Sequence, residues 1–169
     1  MIKRLGERDL KTKYGTFREV LYYEGQKESI AIVMGDVAGG EDVLCRIHSH
    51  CVGAHIFNSV ECDCREQMAA AQSMIESEGR GVIIWLDQEA KGNGHLALIE
   101  STPFKLAGDP QAVAYQKAGY RADARDYQSA AQIIADLNIA SIVLLANDDS
   151  KADNLRRDGI NVTRTRTLA

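Results

Sequence analysis

The periodicity of the apolar residues changes near residue 63, and this change constrains the fold more than any other feature of the sequence. Before that point, the strand-like segments 16–23, 29–35 and 43–50 are separated by glycines, which predicts an antiparallel sheet. After it, helical spacing over 63–79 leads into the apolar run 82–86. We interpret this second part as a helix that feeds a buried strand.

The rest of the chain alternates between helical and strand patterns. Helical spacing returns at 111–118 and 127–137, and a strand pattern follows at 141–146. A helix at 150–157 then precedes a last strand at 160–165. Alternation of this kind is typical of α/β structure, so we expect it for the C-terminal half.

The stretch 87–110 contains both prolines of the chain and three glycines. Long regular elements rarely tolerate this composition, so we expect a functional loop or lid. The chain has 169 residues, 45% of them hydrophobic, which suits one domain over 1–169 with a real core. The expected fold class is α+β, with an antiparallel or mixed sheet in the N-terminal half and an α/β C-terminal half.

Composition also excludes several classes of function. No apolar run approaches the roughly 20 residues of a membrane span, and the start of the chain lacks the apolar segment of a signal peptide. The formal net charge of −4 gives no electrostatic reason to expect nucleic acid or a membrane surface as a partner. We expect a soluble, cytoplasmic protein.

The cysteines point to metal chemistry rather than to disulfides, because the chain is expected to lie in a reducing compartment. Cys51 precedes the closely spaced pair Cys62 and Cys64, and thiolates select zinc over harder cations. Cys45 lies on the same predicted strand as Cys51, roughly 20 Å away, and is excluded from the site. Three protein ligands leave one tetrahedral position open, which favours catalysis.

A closed, structural zinc site is the alternative reading of the same cysteines. His48, His50 and His55 are all near in sequence, and any of them could supply the fourth ligand. Such a site would only pin the strand to the helix. Spacing alone does not separate the two possibilities.

The cysteines lie within a segment that resembles a known family. The sequence RIHSHCVGAHIFNSVECDCREQ (46–67) is similar to the zinc-binding segment of GTP cyclohydrolase II. The resemblance continues through 85–96, 118–127 and 144–151 in the family's order, and it covers about two thirds of the chain. It implies one catalytic zinc per chain, held by Cys51, Cys62 and Cys64.

The resemblance also implies a reaction. Water would attack C8 of guanine, the imidazole ring would open, and formate and pyrophosphate would leave a pyrimidine precursor of riboflavin. It further implies Mg²⁺ on the nucleotide phosphates and a homodimer. The partner that follows is a purine nucleotide, with GTP as the first candidate.

The resemblance assigns a catalytic pair, Asp123 as base and Arg125 at the α-phosphorus. An arginine is effectively always protonated, so we expect Arg125 to stabilise phosphate rather than to attack it. Without the resemblance, Asp-x-Arg would be an ordinary surface ion pair. The residues that the resemblance assigns to substrate binding are Arg46, His48, Ser49, Gln67, Glu89 and Lys91. Lys151 joins them because it lies between a predicted strand and a predicted helix start, a placement suited to a triphosphate.

Five positions depart from the family pattern. Threonine replaces a family tyrosine at Thr102, and its hydroxyl is shorter and far less acidic, so we expect incomplete formate release. The other four changes affect the expected substrate shell and favour an altered purine. They are His50 for glutamate, Lys91 for arginine, Gln111 for threonine and Ala146 for threonine.

Three hypotheses for the function follow. The first is zinc-dependent hydrolytic opening of the imidazole ring of a purine nucleotide, either GTP or a related purine. The second is a non-catalytic nucleotide-binding module whose zinc is structural. The third is a zinc hydrolase of an unrelated amide, in which Arg125 and Lys151 have no phosphate to bind.

Overall fold

Three antiparallel strands begin the chain in the computed structural model, which describes residues 1–169. They are β1 (Lys3–Thr12), β2 (Gly15–Glu24) and β3 (Lys27–Met34), joined by tight turns. The sequence predicted β2 and β3 but missed β1. Eight of the ten β1 residues are exposed, so that strand carries no apolar alternation that could reveal it.

Four further strands complete one seven-stranded mixed sheet, in the order β1-β2-β3-β5-β4-β6-β7. Their bounds are β4 (Val43–Ser49), β5 (Gly81–Leu86), β6 (Ile142–Leu145) and β7 (Val162–Arg166). β4 lies between β5 and β6 and runs parallel to both. The prediction that 43–50 joins an antiparallel sheet is therefore wrong. Six of its seven residues are buried, as expected for a parallel strand covered on both faces.

Six helices connect and cover these strands. Their bounds are α1 (Val52–His55), α2 (Cys64–Glu78), α3 (His95–Leu106), α4 (Gln111–Lys117), α5 (Gln128–Asp136) and α6 (Ser150–Arg157). The prediction of a loop over 87–110 is wrong for the part that forms α3. Pro103 lies in the last turn of that helix, so its missing N–H removes only one hydrogen bond shortly before the helix ends.

Helices cover both faces of the sheet. On one face α5 and α6 contribute residues such as Ile133 and Leu155 to the larger apolar cluster. On the other face Ala71 and Ile75 of α2 pack with Phe17 in a smaller cluster. Strands and helices packed in this way confirm the α+β class. No helix has both the length and the apolar character needed to span a bilayer.

The parallel pairing of the central strands decides where polar side chains gather. Because β5, β4 and β6 run in the same direction, their carboxyl ends meet at one edge of the sheet. The segments that follow these ends carry Cys51, Glu89 and Lys151. Ligands commonly bind outside the carboxyl ends of parallel strands, so this edge is the place to look for a site.

Candidate metal centre and active site

Three cysteine thiols meet at this edge. Cys51 directly precedes α1, Cys62 lies in the loop that follows, and Cys64 is the first residue of α2. All three Sγ atoms lie within 4.8 Å of one another, and those of Cys51 and Cys62 are 3.5 Å apart. Sulfurs that share one tetrahedral zinc lie about 3.8 Å apart, given Zn–S bonds of about 2.3 Å. The donor set and its spacing therefore fit a single zinc ion.

The thiols are poor anions on their own. Burial raises the pKa of Cys64, and the neighbouring Cys62 and Cys51 raise it further. Burial also raises the pKa of Cys51. A divalent cation reverses this balance, because thiolates bind it and release their protons. Cys45 is fully buried in the larger core cluster and does not belong to this group.

No histidine completes the cluster. The Nε2 atoms of His48 and His55 lie 2.9 Å apart, so these two rings engage each other. His50 packs edge-on against Trp85, with ring centroids 5.4 Å apart. The group of possible metal ligands consists of the three cysteines alone, which is the arrangement expected of an open site.

The cysteines line a cavity of about 330 Å³. Four of the residues assigned by resemblance also line it, namely Ser49, Glu89, Lys91 and Arg125. Lys105 and Tyr115 line it as well, and neither residue was predicted from the sequence to belong to the site. Lys105 lies on α3, a helix that was not predicted because the segment contains prolines. Tyr115 follows the apolar pattern of α4 and is not distinguished from its other apolar residues. Burial raises the pKa of Tyr115 to about 12, so its hydroxyl stays protonated.

Glu89 is held in place by its neighbours. Its Oε1 accepts a hydrogen bond from His95 Nδ1 at 2.7 Å and one from the backbone N–H of Val52 at 3.4 Å. Its Oε2 lies 3.9 Å from His50 Nε2. The side chain is only 11% exposed. A carboxylate with this much support offers a fixed acceptor to anything in the cavity.

The turn that carries Glu89 and Lys91 is packed tightly against a second loop. The carbonyl of Lys91 accepts a hydrogen bond from the backbone N–H of Ala124 at 2.8 Å. Gly92 has φ of 84°, and a Cβ there would lie 2.7 Å from the carbonyl carbon of Ala124. Only glycine fits this approach without displacement. The contact fixes Glu89 and Arg125 relative to each other.

Asp123 and Arg125 form a close ion pair at the cavity wall. The pair is two-pronged, with Arg125 Nε 3.0 Å from one carboxylate oxygen and Nη2 2.6 Å from the other. Burial opposes ionisation of Asp123, but the hydrogen bonds of Arg125 outweigh it, so the pKa of Asp123 lies below its ordinary value. Arg125 lines both the cavity beside the cysteines and a neighbouring cavity, whereas Asp123 lines only the neighbouring one.

Arg46, His48 and Gln67 form a buried polar group that does not line the cavity. Arg46 Nη2 donates to Gln67 Oε1 at 2.6 Å, and its Nη1 donates to the carbonyl of Leu145 at 3.1 Å. The same Nη2 lies 3.5 Å from His48 Nδ1. Burial, reinforced by Arg46, lowers the pKa of His48 to about 3. His48 is therefore neutral, and because Arg46 can only donate to its Nδ1, the ring proton is assigned to Nε2, which faces His55.

Lys151 adds a third cation to this edge. It is the second residue of α6, and its Nζ lies 3.4 Å from the carbonyl of Ile47. Burial, together with the charges of Arg46 and Arg125, lowers the pKa of Lys151 to about 7. In addition, Arg46 Nε is buried without a hydrogen-bond partner. Cations gathered in this way, with a donor unused, are suited to an anion.

The departures from the family pattern occupy different places. Gln111 lines the cavity, and its Nε2 lies 3.4 Å from Ser101 Oγ. Ala146 is buried at the end of β6. Thr102 does not line the zinc cavity, and its hydroxyl donates to the carbonyl of Leu98 at 2.8 Å. Thr102 lines instead a neighbouring cavity, which shares Glu61, Leu98, Lys105 and Gln111 with the first.

Known proteins resemble this chain along nearly its whole length. The riboflavin biosynthesis protein RibBA of Bacillus mycoides is 39% identical over 165 residues, which are 96% of this chain and 42% of that protein. RibBA of Chlorobium phaeovibrioides is 37% identical over 164 residues, or 96% of this chain and 40% of that protein. The chain thus spans about two fifths of the length of these relatives.

A solved structure and a family model agree with this likeness. The fold is similar to that of RibBX, a two-domain 3,4-dihydroxy-2-butanone 4-phosphate synthase from A. baumannii, with a TM-score of 0.52 and 17% identity. The match covers 99% of this chain and 40% of that one, and it concerns the fold alone. The model of the GTP cyclohydrolase II family matches residues 3–167. The chain therefore belongs to the GTP cyclohydrolase II family.

Proposed function

We propose that this chain opens the imidazole ring of a purine nucleotide by hydrolysis, at a zinc ion held by Cys51, Cys62 and Cys64. The observation that carries the proposal is the group of three thiols on the wall of a cavity that Glu89 and Arg125 also line. When bound, zinc supplies the Lewis acidity that makes water nucleophilic near neutral pH. In the reaction water adds to C8, the C8–N9 bond breaks, and N9 takes up a proton.

The chain's own residues bind the two ends of the nucleotide. Glu89 is a fixed acceptor for the hydrogen-bond donors of the purine edge. Arg125 lies across the same cavity, and its fork of N–H groups suits a phosphate oxygen. Because Asp123 keeps that fork oriented, we assign it the positioning of Arg125 and assign Arg125 the stabilisation of phosphate charge.

The buried cations serve the triphosphate. The charge of Arg46 acts on Lys151 at the start of α6 and helps to lower the pKa of that lysine. A triphosphate that reaches them brings negative charge and favours the protonated lysine. Ser49, Lys91, Gln67 and His48 complete the set assigned to substrate binding, the first two at the cavity wall. Mg²⁺ accompanies the phosphates in this proposal.

Formate release is the step that this chain performs incompletely in our proposal. Release needs a second water to cleave the formamide that ring opening leaves on N7. The hydroxyl of Thr102 is bonded to the Leu98 carbonyl and lies outside the cavity. No side chain at that position is therefore directed at the formyl group, and the formylamino product accumulates.

A product analysis tests the proposal directly. Zinc-loaded protein is incubated with GTP and Mg²⁺, and products are separated and weighed by mass spectrometry while formate and pyrophosphate are assayed in parallel. A product heavier than GTP by one water, with little formate and little pyrophosphate, is expected. Release of one formate per ring opened would refute the incomplete release. If GTP stayed unchanged while another purine nucleotide was opened, that nucleotide rather than GTP would be the substrate.

The alternatives give different results in the same experiment. A nucleotide-binding module with structural zinc binds GTP tightly and never converts it. A hydrolase of an unrelated amide neither binds nor is inhibited by phosphate-bearing analogues. Tight binding without turnover would therefore favour the module, and loss of phosphate dependence would favour the amide hydrolase.

We also propose a homodimer. Exposed apolar side chains lie on the segment between Cys51 and Cys62, with Phe57 73% and Val60 97% exposed. Leu106 at the end of α3 is exposed too. Apolar side chains this exposed favour burial against a partner. Light scattering at several protein concentrations would report twice the chain mass if the proposal holds.

A further inference from the structure

Glu89 has only one carboxylate oxygen left for a substrate. Its Oε1 accepts hydrogen bonds from His95 Nδ1 at 2.7 Å and from the backbone N–H of Val52 at 3.4 Å. A carboxylate only accepts, so His95 Nδ1 carries the proton in this pair. Each carboxylate oxygen has two lone-pair sites, and both sites of Oε1 are therefore used.

The other oxygen is accompanied by an imidazole. Oε2 lies 3.9 Å from His50 Nε2, and both Glu89 and His50 line the zinc cavity. His95 does not line the cavity, and its contact with Glu89 is the hydrogen bond to Oε1. The purine edge thus meets one free acceptor, Oε2, and beside it an imidazole nitrogen that can donate.

Guanine offers two donors on this edge, N1–H and the 2-amino group. A carboxylate that reads both in a forked geometry uses one oxygen for each. With Oε1 occupied, Oε2 can serve N1–H while His50 donates to the 6-oxo group. The second lone-pair site of Oε2 lies beside the ring of His50, 3.9 Å away, so the 2-amino group has no oxygen of its own and could only share Oε2 with N1–H.

Resting on the proposed function, we infer that the site recognises a 6-oxopurine through N1–H and O6 and does not read the 2-amino group. Hypoxanthine nucleotides are then bound and opened about as well as guanine nucleotides. His95 determines this specificity without touching the substrate, because it occupies the carboxylate oxygen that would otherwise bind the 2-amino group.

The first measurement compares kcat/KM for GTP and ITP on zinc-loaded protein. We expect the two values to agree within about fivefold, whereas a site built around a substrate N–H rejects the analogue that lacks it by up to about 10⁴-fold. A preference for GTP of a hundredfold or more would overturn the inference.

Variants of His95 supply the second measurement. His95→Leu frees Oε1, so the ratio of GTP to ITP turnover is expected to rise about tenfold, the effect of one charged hydrogen bond. His95→Gln retains a donor for Oε1 and is expected to keep the ratio near one. Glu100→Gln, on the same helix and outside the cavity, is the control for general effects. An unchanged ratio in His95→Leu, with a normal melting temperature, would contradict the inference.

Binding separates this inference from the proposed reaction. If neither nucleotide is opened, equilibrium dialysis of GTP and ITP against the zinc-loaded protein gives the ratio of Kd values. Similar, tight Kd values would support the inference while refuting ring opening. Much tighter binding of GTP, or no binding of either nucleotide, would refute the inference itself.

Discussion

Asp123 accepts hydrogen bonds from three nitrogens of Arg125, namely its backbone N–H at 3.0 Å, Nε at 3.0 Å and Nη2 at 2.6 Å. These bonds hold the guanidinium at the wall of the cavity that the three cysteines also line. The carboxylate is therefore occupied, and its lowered pKa makes it a weak base. This geometry favours a positioning role for Asp123.

Substituting Asp123 tests that role. In Asp123→Asn the amide keeps the size of the carboxylate but loses the charge, so Arg125 is held less firmly. We expect kcat/KM for GTP to fall by about ten- to a hundredfold, the effect of losing one charged hydrogen bond of about 1.5–3 kcal/mol. Guanosine, which lacks phosphate, should lose much less. Asp126→Asn, three residues along the chain, is the matched control and should retain activity.

The pKa of Lys151 predicts a pH dependence of nucleotide affinity. Its value of about 7 in the free protein means that the lysine is protonated below this pH and neutral above it. A triphosphate binds the protonated form, so affinity is expected to be level below about pH 7 and to fall by up to tenfold per pH unit above it. Titration calorimetry of GTP between pH 6 and 9 would show this.

An arginine at the same position provides the comparison. Lys151→Arg stays protonated throughout, so its affinity should not decline over that range. The stability of the ligand-free wild type is expected to change with pH in the opposite direction to the nucleotide affinity. Because the pKa in the folded protein is below the ordinary lysine value of 10.5, stability should rise between pH 7 and 10.5 as the buried charge is lost. Parallel affinity profiles of the two proteins would contradict this account.

Removing one thiol tests the metal centre. Cys62→Ser is expected to lose the zinc and all ring opening while most of the fold persists, because Cys62 lies in an exposed loop. Zinc per chain, measured by atomic emission, should fall from one to near zero. Cys45→Ala, in the core away from the cluster, should keep its zinc. Complete unfolding of Cys62→Ser would instead indicate a structural ion.

The approach of Gly92 to Ala124 predicts a coupled loss of stability and activity. In Gly92→Ala the new methyl meets the Ala124 carbonyl and the residue keeps a positive φ, which together cost about 1–3 kcal/mol. Gly79→Ala has a positive φ of similar size, 79°, but meets no atom within 4 Å. The first variant should therefore melt at a lower temperature than the second and lose more turnover. Equal behaviour would show that the contact is unimportant.

Thr102 can be returned to the tyrosine of the family pattern. A phenol reaches further than the threonine hydroxyl, which is bonded to Leu98. Thr102→Tyr is expected to raise the formate released per ring opened, while the rate of ring opening changes little. Thr102→Phe, with the ring but no hydroxyl, should not restore release. If both variants behave alike, the hydroxyl is not responsible.

The sequence alone predicts those elements whose pattern follows from local burial. α2 ends at Gly79, as its helical spacing and its glycine predicted. β1 was missed because a mostly exposed strand shows no alternation, and α3 was missed because Pro103 hid a helix that tolerates it in its last turn. The parallel pairing of β4 depends on partners far along the chain, which no local pattern reveals.

Part of the lining of the cavity was also predicted from the sequence. Spacing pointed to Cys51, Cys62 and Cys64, and resemblance supplied Glu89 and Arg125. The hydrogen bond between His95 and Glu89 could not be predicted from the sequence, because it depends on how the turn after β5 packs against the start of α3. The withdrawal of Thr102 from the cavity likewise depends on the path of that helix.

The placement of three parallel strand ends at one sheet edge gives the site a modular construction. In the proposed function, the segment after β4 supplies the thiols, the segment after β5 the acceptor for the base, and the segment after β6 the lysine for phosphate. The segments touch one another, for example through the hydrogen bond from the Val52 N–H to Glu89, but each begins at the end of its own buried strand. Residues proposed to contact the base can therefore change while the three cysteines are kept.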